Sequence, residues 1–160
     1  MTEYEYNGNK YTLKPDVLEL YRDGIDLISE RKKLIFEETK GVDRSLILKY
    51  EKELRDLQRS KLMLEKKKKE TDKIDKQIQD LNDKFETDSE VDSINTYIAG
   101  CIEMAMLKLL LNKELIKRVI PKILEMDEET FNFNDFIFIE KVVSKVVIDF
   151  FFVTTQNRST

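Results

Sequence analysis

The stretch SLILKYEKELRDLQRSKLMLEKKKKETDKIDKQIQDLNDKFE, residues 45–86, decides how this chain is built. Lys, Arg, Asp and Glu alternate around a thin apolar stripe of Ile47, Tyr50, Leu54, Leu57 and Leu64, whose three- and four-residue steps are those of a coiled-coil seam. A second stripe of the same kind, Ile74, Ile78, Leu81 and Phe85, follows out of register with the first. Either one helix overwinds at the join, or the chain reverses near Lys66 to Thr71 into a helical hairpin. With neither Gly nor Pro between Asp43 and Glu90, the expectation is a continuous or slightly broken helix of roughly 60 Å.

The composition around this arm agrees with long helices. Of 160 residues 38% are charged, and only four are Gly and two Pro, so turn formers are scarce. The absence of His removes Ser-His-Asp and Cys-His nucleophile systems, His-ligated zinc and facial-triad iron. Glycines 8, 24, 41 and 100 are isolated, so no phosphate-cradling loop exists. Glu37-Glu38 and Asp127-Glu128-Glu129 lack the spacing of a calcium loop. Neither an enzyme, a metal nor a cofactor is expected. Cys101, alone in an apolar stretch, reads as a small buried thiol. A net charge of −4 and a pI near 5.2 give no global attraction to nucleic acid or anionic lipid. The one basic cluster, Lys66 to Lys69, is flanked by Glu65, Glu70 and Asp72 without aromatics to stack bases, and reads as solvated helix surface.

On the N-terminal side, Tyr4-Glu5-Tyr6 and Lys10-Tyr11-Thr12-Leu13 alternate around Asn7-Gly8, the strongest short hairpin signal. Pro15 and Asp16 open a helix in which Val17, Tyr21, Ile25, Ile28 and Ile35 recur to about Lys40, with Gly24 marking a break after Asp23. Gly41 is the expected stop and Asp43 the next cap. On the C-terminal side, Thr87 and Glu90 have capping-box spacing, so a helix should begin there. Its apolar residues, from Val91 to Leu111, spread nearly all round, so this helix must be central or covered by a partner. Ile94 to Leu111 approaches membrane-span length, but Glu103 and Lys108 cost about 2.5 to 3.5 kcal/mol each near a bilayer centre. A core helix is the expected reading, with no membrane association. The pattern continues through Pro121, which should kink or restart it. Asn134 or Asp135 caps a last helix bearing Phe136, Ile139, Val143, Val147, Phe150 and Val153, and 154–160 should form a flexible tail.

The expected fold is therefore mainly α: a short N-terminal β-hairpin followed by a helical bundle with a long charged coiled-coil-like arm. The boundaries are 1–41 for the hairpin and first helix, 42–88 for the arm, and 89–153 for an apolar helical core. Ile47, Tyr50, Leu54, Leu57 and Leu64 are the candidate oligomerisation seam. The excess of large apolar residues after Val91 allows two readings: they pack on one another, or some form a groove that takes a partner's amphipathic helix. On the second reading Met104, Met106, Leu110, Phe136 and Phe150 contribute to an adaptable partner-binding surface, to which methionine side chains are suited. The N-terminus carries neither a basic nor an apolar leader segment, and a cytoplasmic location is expected.

The opening Tyr4-Glu5-Tyr6-Asn7-Gly8-Asn9-Lys10-Tyr11-Thr12-Leu13, followed directly by a helix at Pro15, resembles the start of phage tail assembly chaperones. These small helical proteins often begin with a hydrophobic-x-hydrophobic-x-Gly-x-x-aromatic-x-Leu hairpin. The resemblance implies a non-enzymatic chaperone that coats a long helical tape-measure protein in the host cytoplasm until tube protein polymerises around it. The charged arm has no counterpart in that pattern. The alternative is a structural or adaptor protein, such as a virion component, that oligomerises through the arm. An enzyme with a spatially assembled carboxylate or Lys site, and a nucleic-acid binder using Lys66 to Lys69, are the remaining classes.

Overall fold

A computed structural model describes residues 3–126 and 130–156. The protein is mainly α-helical with a two-stranded N-terminal antiparallel hairpin. It divides into two compact units: Met1–Glu38 with Glu103–Thr160, and Thr39–Ile102. These limits differ from the 41/42 and 88/89 boundaries read from composition.

In the first unit, β1 (Glu3–Tyr6) pairs with β2 (Asn9–Thr12) so that Tyr4 opposes Tyr11 and Tyr6 opposes Asn9. The two-residue turn has Asn7 at φ 51° and Gly8 at φ 79°, the paired left-handed conformations of a tight hairpin. A lone hairpin is marginal in water, and aromatic packing anchors this one. Tyr6 and Tyr11 each lie 5.5 Å from the Phe138 ring, and Tyr4 is buried. The Tyr4 hydroxyl donates to Asp149 and the Tyr6 hydroxyl to Asp135, both at 2.7 Å. The Tyr6 bond, with backbone N–H donors from Phe138 and Ile137, holds the Asp135 carboxyl below its usual range. Burial, and then the Asp149 carboxylate, push the Tyr4 phenol up.

Asp16 caps α1 (Val17–Asp23) by accepting from the Leu18 and Glu19 N–H groups. The helix breaks at Gly24, as expected, before α2 (Ile25–Thr39). Gly24 is required by packing: a Cβ there would sit 2.2 Å from Phe150 Cζ, and Phe150 is fully buried. Lys14 and Asp23 form an ion pair at 2.8 Å, and the Lys14 N–H donates to the Ile123 carbonyl at 3.0 Å, tying the strand exit to α6 (Lys113–Ile123). Asn112 caps α6 through the Leu115 N–H, and Pro121 lies within the last turn of the helix. The break expected at Pro121 therefore falls at Asn112, because an Asx cap supplies the chain exit and Pro121 comes too late in α6 to end it early. Asp135 caps α7 (Phe136–Phe138), which passes through a π-helical turn (Ile139–Val143) into α8 (Ser144–Gln156). Thr154 is buried, and its hydroxyl donates to the Phe150 carbonyl. The helix thus includes 154–156 of the expected tail, and 157–160 lie outside the described residues. The core of this unit is Leu20, Leu27, Leu109, Ile116, Ile120, Ile123, Val142, Val143, Val146, Val147 and Phe150, each at most 1% exposed.

In the second unit, α3 (Ser45–Lys66) and α4 (Asp72–Thr87) form an antiparallel hairpin, the alternative to the continuous or slightly broken helix expected. The reversal uses a left-handed residue without glycine: Lys68 has φ 51°. Its N–H donates to the Glu65 carbonyl, and the Lys69 N–H reaches back to Leu64 at 3.0 Å, a Schellman closure. Lys67 to Lys69 thus belong to the turn rather than to a helix face. Tyr50 and Phe85 meet edge to face at 5.3 Å, and Lys61 pairs with Asp75 at 2.7 Å toward the other end. Leu54 lies with Leu81 and Phe85 along the same join. Asp88 caps α5 (Ser89–Leu111) by accepting from the Glu90 and Val91 N–H groups, and also takes the Tyr50 hydroxyl at 2.9 Å. The cap is therefore Asp88. Thr87, expected in that role, donates to the Asp83 carbonyl instead.

Candidate functional site

The chemistry of the cavities is limited. One of about 420 Å³ in the second unit is lined by Asp43, Ser45, Glu90, Ser93, Ile94 and Tyr97, among others. Asp43 accepts the Ser45 N–H at 2.9 Å, and that bond holds its carboxyl below the usual range. The Ser93 hydroxyl donates to the Ser89 carbonyl, so its proton stays within the helix. Among the described residues no group of three His, Cys, Asp or Glu could hold a metal ion. Asp127-Glu128-Glu129 lie outside them. Cys101 is half-buried rather than buried.

The residues expected to oligomerise face elsewhere. Tyr50 is buried against Phe85, Leu54 lines a cleft with Leu81 and Phe85, and Ile47, Leu57 and Leu64 are half-buried. Tyr50 and Leu54 of that seam meet α4 of the same chain. Leu48, Leu62 and Met63 remain outward on α3.

The five expected partner-binding residues separate by position. Phe150 is fully buried beneath Gly24 and is a core residue, not a surface one. Met106 and Leu110 are half-buried and pack on the first unit's core. Met104 and Phe136 are exposed, Phe136 at 83%. The triple Phe150-Phe151-Phe152 resolves accordingly: the first two are buried, and Phe152 points outward on α8.

Exposure collects along α5. Only 17% of its most apolar window is buried, so the core helix expected from composition is largely uncovered in this chain. By length and composition it is also the one helix, among the described residues, apolar enough to cross a membrane. Val91, Ala105 and Leu109 are its buried residues. Outward lie Tyr97 and Gly100 in the second unit's part of the helix, and Met104, Leu107 and Leu111 in the first unit's part; the four large side chains are 47% to 75% exposed. Steps of three and four align Met104, Leu107 and Leu111 as one stripe. Gly100 has no atom within 4 Å of where a Cβ would stand, so a partner backbone can approach there. Of these residues the sequence reading singled out Met104 alone as partner-binding. The spacing of Tyr97, Leu107 and Leu111 was available, but which side the chain covers is a tertiary property. No protein-family model, curated protein or solved structure matches the chain.

Proposed function

We propose that this protein is a non-enzymatic assembly chaperone of the phage tail kind, holding a long helical client in the host cytoplasm. The observation that carries the reading is the Met104, Leu107 and Leu111 stripe: exposed, apolar and spaced three and four apart. Two helices meeting along such a stripe interlock side chains at a shallow crossing angle. The N-terminal hairpin's resemblance to tail assembly chaperones supplies the client class. Met104 suits a surface that must accept a repeating and variable client and later release it. The alternative, a structural or adaptor subunit oligomerising through the arm, has weaker support because its seam faces α4.

The test is affinity capture from native producing cells or infected lysate, with mass spectrometry of the eluate and of finished particles. The expected result is a long helical tape-measure-type protein in the eluate and absence of this chain from particles. Met104→Lys with Leu107→Lys should lose that client without lowering the melting temperature. Stoichiometric presence in particles, without such a client, would overturn the reading in favour of a structural subunit.

A further inference from the structure

A second surface, on the other side of the chemistry, lies along α8. Its exposed residues Lys145, Ile148, Phe152 and Thr155 recur at helical spacing and form one face. Ile148 and Phe152 are 59% and 61% exposed. Beside this face stands Arg31 of α2, on the same side of its helix as the buried Leu27 and Ile28. Its guanidinium lies over the Phe151 ring at 4.6 Å, and its Nε is buried with no hydrogen-bond partner. A cleft of about 50 Å³ adjoins it, lined also by Lys32, Thr154 and Thr155. That is room for a group of one to two water volumes, such as a carboxylate.

A buried donor left unbonded is costly, the more so on a cation. No described residue accepts from this Nε. On α2, Asp26 pairs with Arg118, Glu30 with Lys33, and Glu38 with Lys108, while Glu37 is exposed. Asp149 is the only carboxylate of α8, and it accepts the Tyr4 hydroxyl. The threonine hydroxyls donate to backbone carbonyls of their own helix. The face is thus apolar along its middle and cationic at Arg31, Lys32 and Lys145, on a protein whose net charge is −4. Burial alone lowers the Arg31 pKa, so its charged form is held at a cost that a bound anion would remove.

We infer that the α8 face with Arg31 is a docking site for an acidic amphipathic helix of a protein partner, whose Asp or Glu carboxylate lies at the cleft beside Arg31 and Lys32. A carboxylate there offsets the charge that burial leaves uncompensated on the guanidinium. Ile148 and Phe152 receive the partner's apolar residues. The site does not depend on the chaperone reading.

The experiment uses the full chain and two 20-residue helical peptides with the same leucine stripe, one flanked by Glu and one by Lys, followed by fluorescence anisotropy. The Glu peptide should bind at least tenfold more tightly than the Lys peptide. Arg31→Met should abolish that preference while leaving the melting temperature equal or higher, since an apolar side chain replaces a desolvated cation. Ile148→Ser with Phe152→Ser should weaken the Glu peptide tenfold or more in a folded protein. Equal binding of both peptides, no binding, or a preference that survives Arg31→Met would overturn the site. So would a Phe152-dependent dimer in sedimentation, which makes a second copy the occupant, or Arg31-dependent binding to phosphatidylglycerol vesicles without peptide binding, which makes it a lipid headgroup. Loss of the α5 client with the α8 preference intact would sink the chaperone reading alone.

Discussion

The two units are both helical, but they hold their helices by different means. In the first, the hairpin and α1, α2, α6 and α8 surround a contiguous apolar core, and every member of that core cluster belongs to this unit. In the second, Tyr50 and Val91 are the only buried apolar residues, and α3 and α4 meet along half-buried stripes closed by one aromatic pair and one ion pair. Burial contributes roughly 25 cal/mol per Å² of apolar surface, whereas an exposed ion pair contributes on the order of 0.2 to 1 kcal/mol. The lesson is that a charged, strongly periodic sequence specifies a helix more clearly than it stabilises one.

Substitutions can break that comparison. Phe150→Ala removes a fully buried ring and should cost about 3 to 5 kcal/mol in denaturant unfolding, against about 1 kcal/mol for the half-buried Leu54→Ala. Equal costs would mean that the arm is held as firmly as the core. Gly24→Ala comes next, at about 1 to 3 kcal/mol from overpacking. Its cause is the Phe150 ring, so Phe150→Leu in the same chain should recover part of the loss; strict additivity would show that Gly24 matters for another reason.

Much of the architecture was legible wherever a local signal matched a local need. Asn7-Gly8 requires left-handed backbone and announces the hairpin; Asp16, read as opening a helix, and Asp135, read as a cap alongside Asn134, cap the helices they precede; Gly24 marks the break between α1 and α2. The reversal after Lys66 was hidden because the left-handed position carries lysine, and the same disguise recurs after α6, where Glu125 has φ 53° and Met126 donates back to Pro121. Side-chain pattern reports on faces, and a Schellman closure is made by backbone groups alone. The candidate site was legible in part: the width of the apolar surface on α5 signals incomplete burial, but the stripe left open, and the sinking of Phe150 beneath Gly24, depend on what packs from distant sequence.

The non-glycine closures sharpen the comparison further. Lys68→Gly should raise stability by about 1 kcal/mol, since L-residues pay for that conformation and glycine does not. The gain should appear as slower amide exchange at the end of α3. Glu125→Gly should give a similar gain in the first unit, and a difference between the two would measure how far each unit opens independently.

The smallest effects concern tyrosine–carboxylate pairs, which both units use. Asp135 and Asp88 are each held below the ordinary carboxyl value of 3.8, chiefly by the hydroxyls of Tyr6 and Tyr50. Their contribution is therefore complete above that value and is lost as pH falls through the lower folded pKa. Tyr6 and Tyr50 are both raised above 10.0, so the alkaline loss begins as pH rises past 10. Tyr6→Phe and Tyr50→Phe should flatten both limbs of a stability–pH curve. A curve unchanged by either would remove these bonds from the account.

The π-helical turn at Ile139–Val143 has a consequence for the protein's history. Such a turn carries one residue more than an α-helix of the same length would hold, and each α-helical residue rotates the chain by about 100°. Deleting one residue within it, such as the exposed Glu140, would close the turn to an α-helix of the same length and keep Phe138 against Tyr6, Tyr11 and Phe131 with α8 still in phase. A deletion one turn later, in α8, has no spare residue to absorb it and would rotate Phe150 by about 100° relative to the rest of the helix. The turn is therefore the place where this helix can lose a codon without losing its dock, and the turns beside it are not.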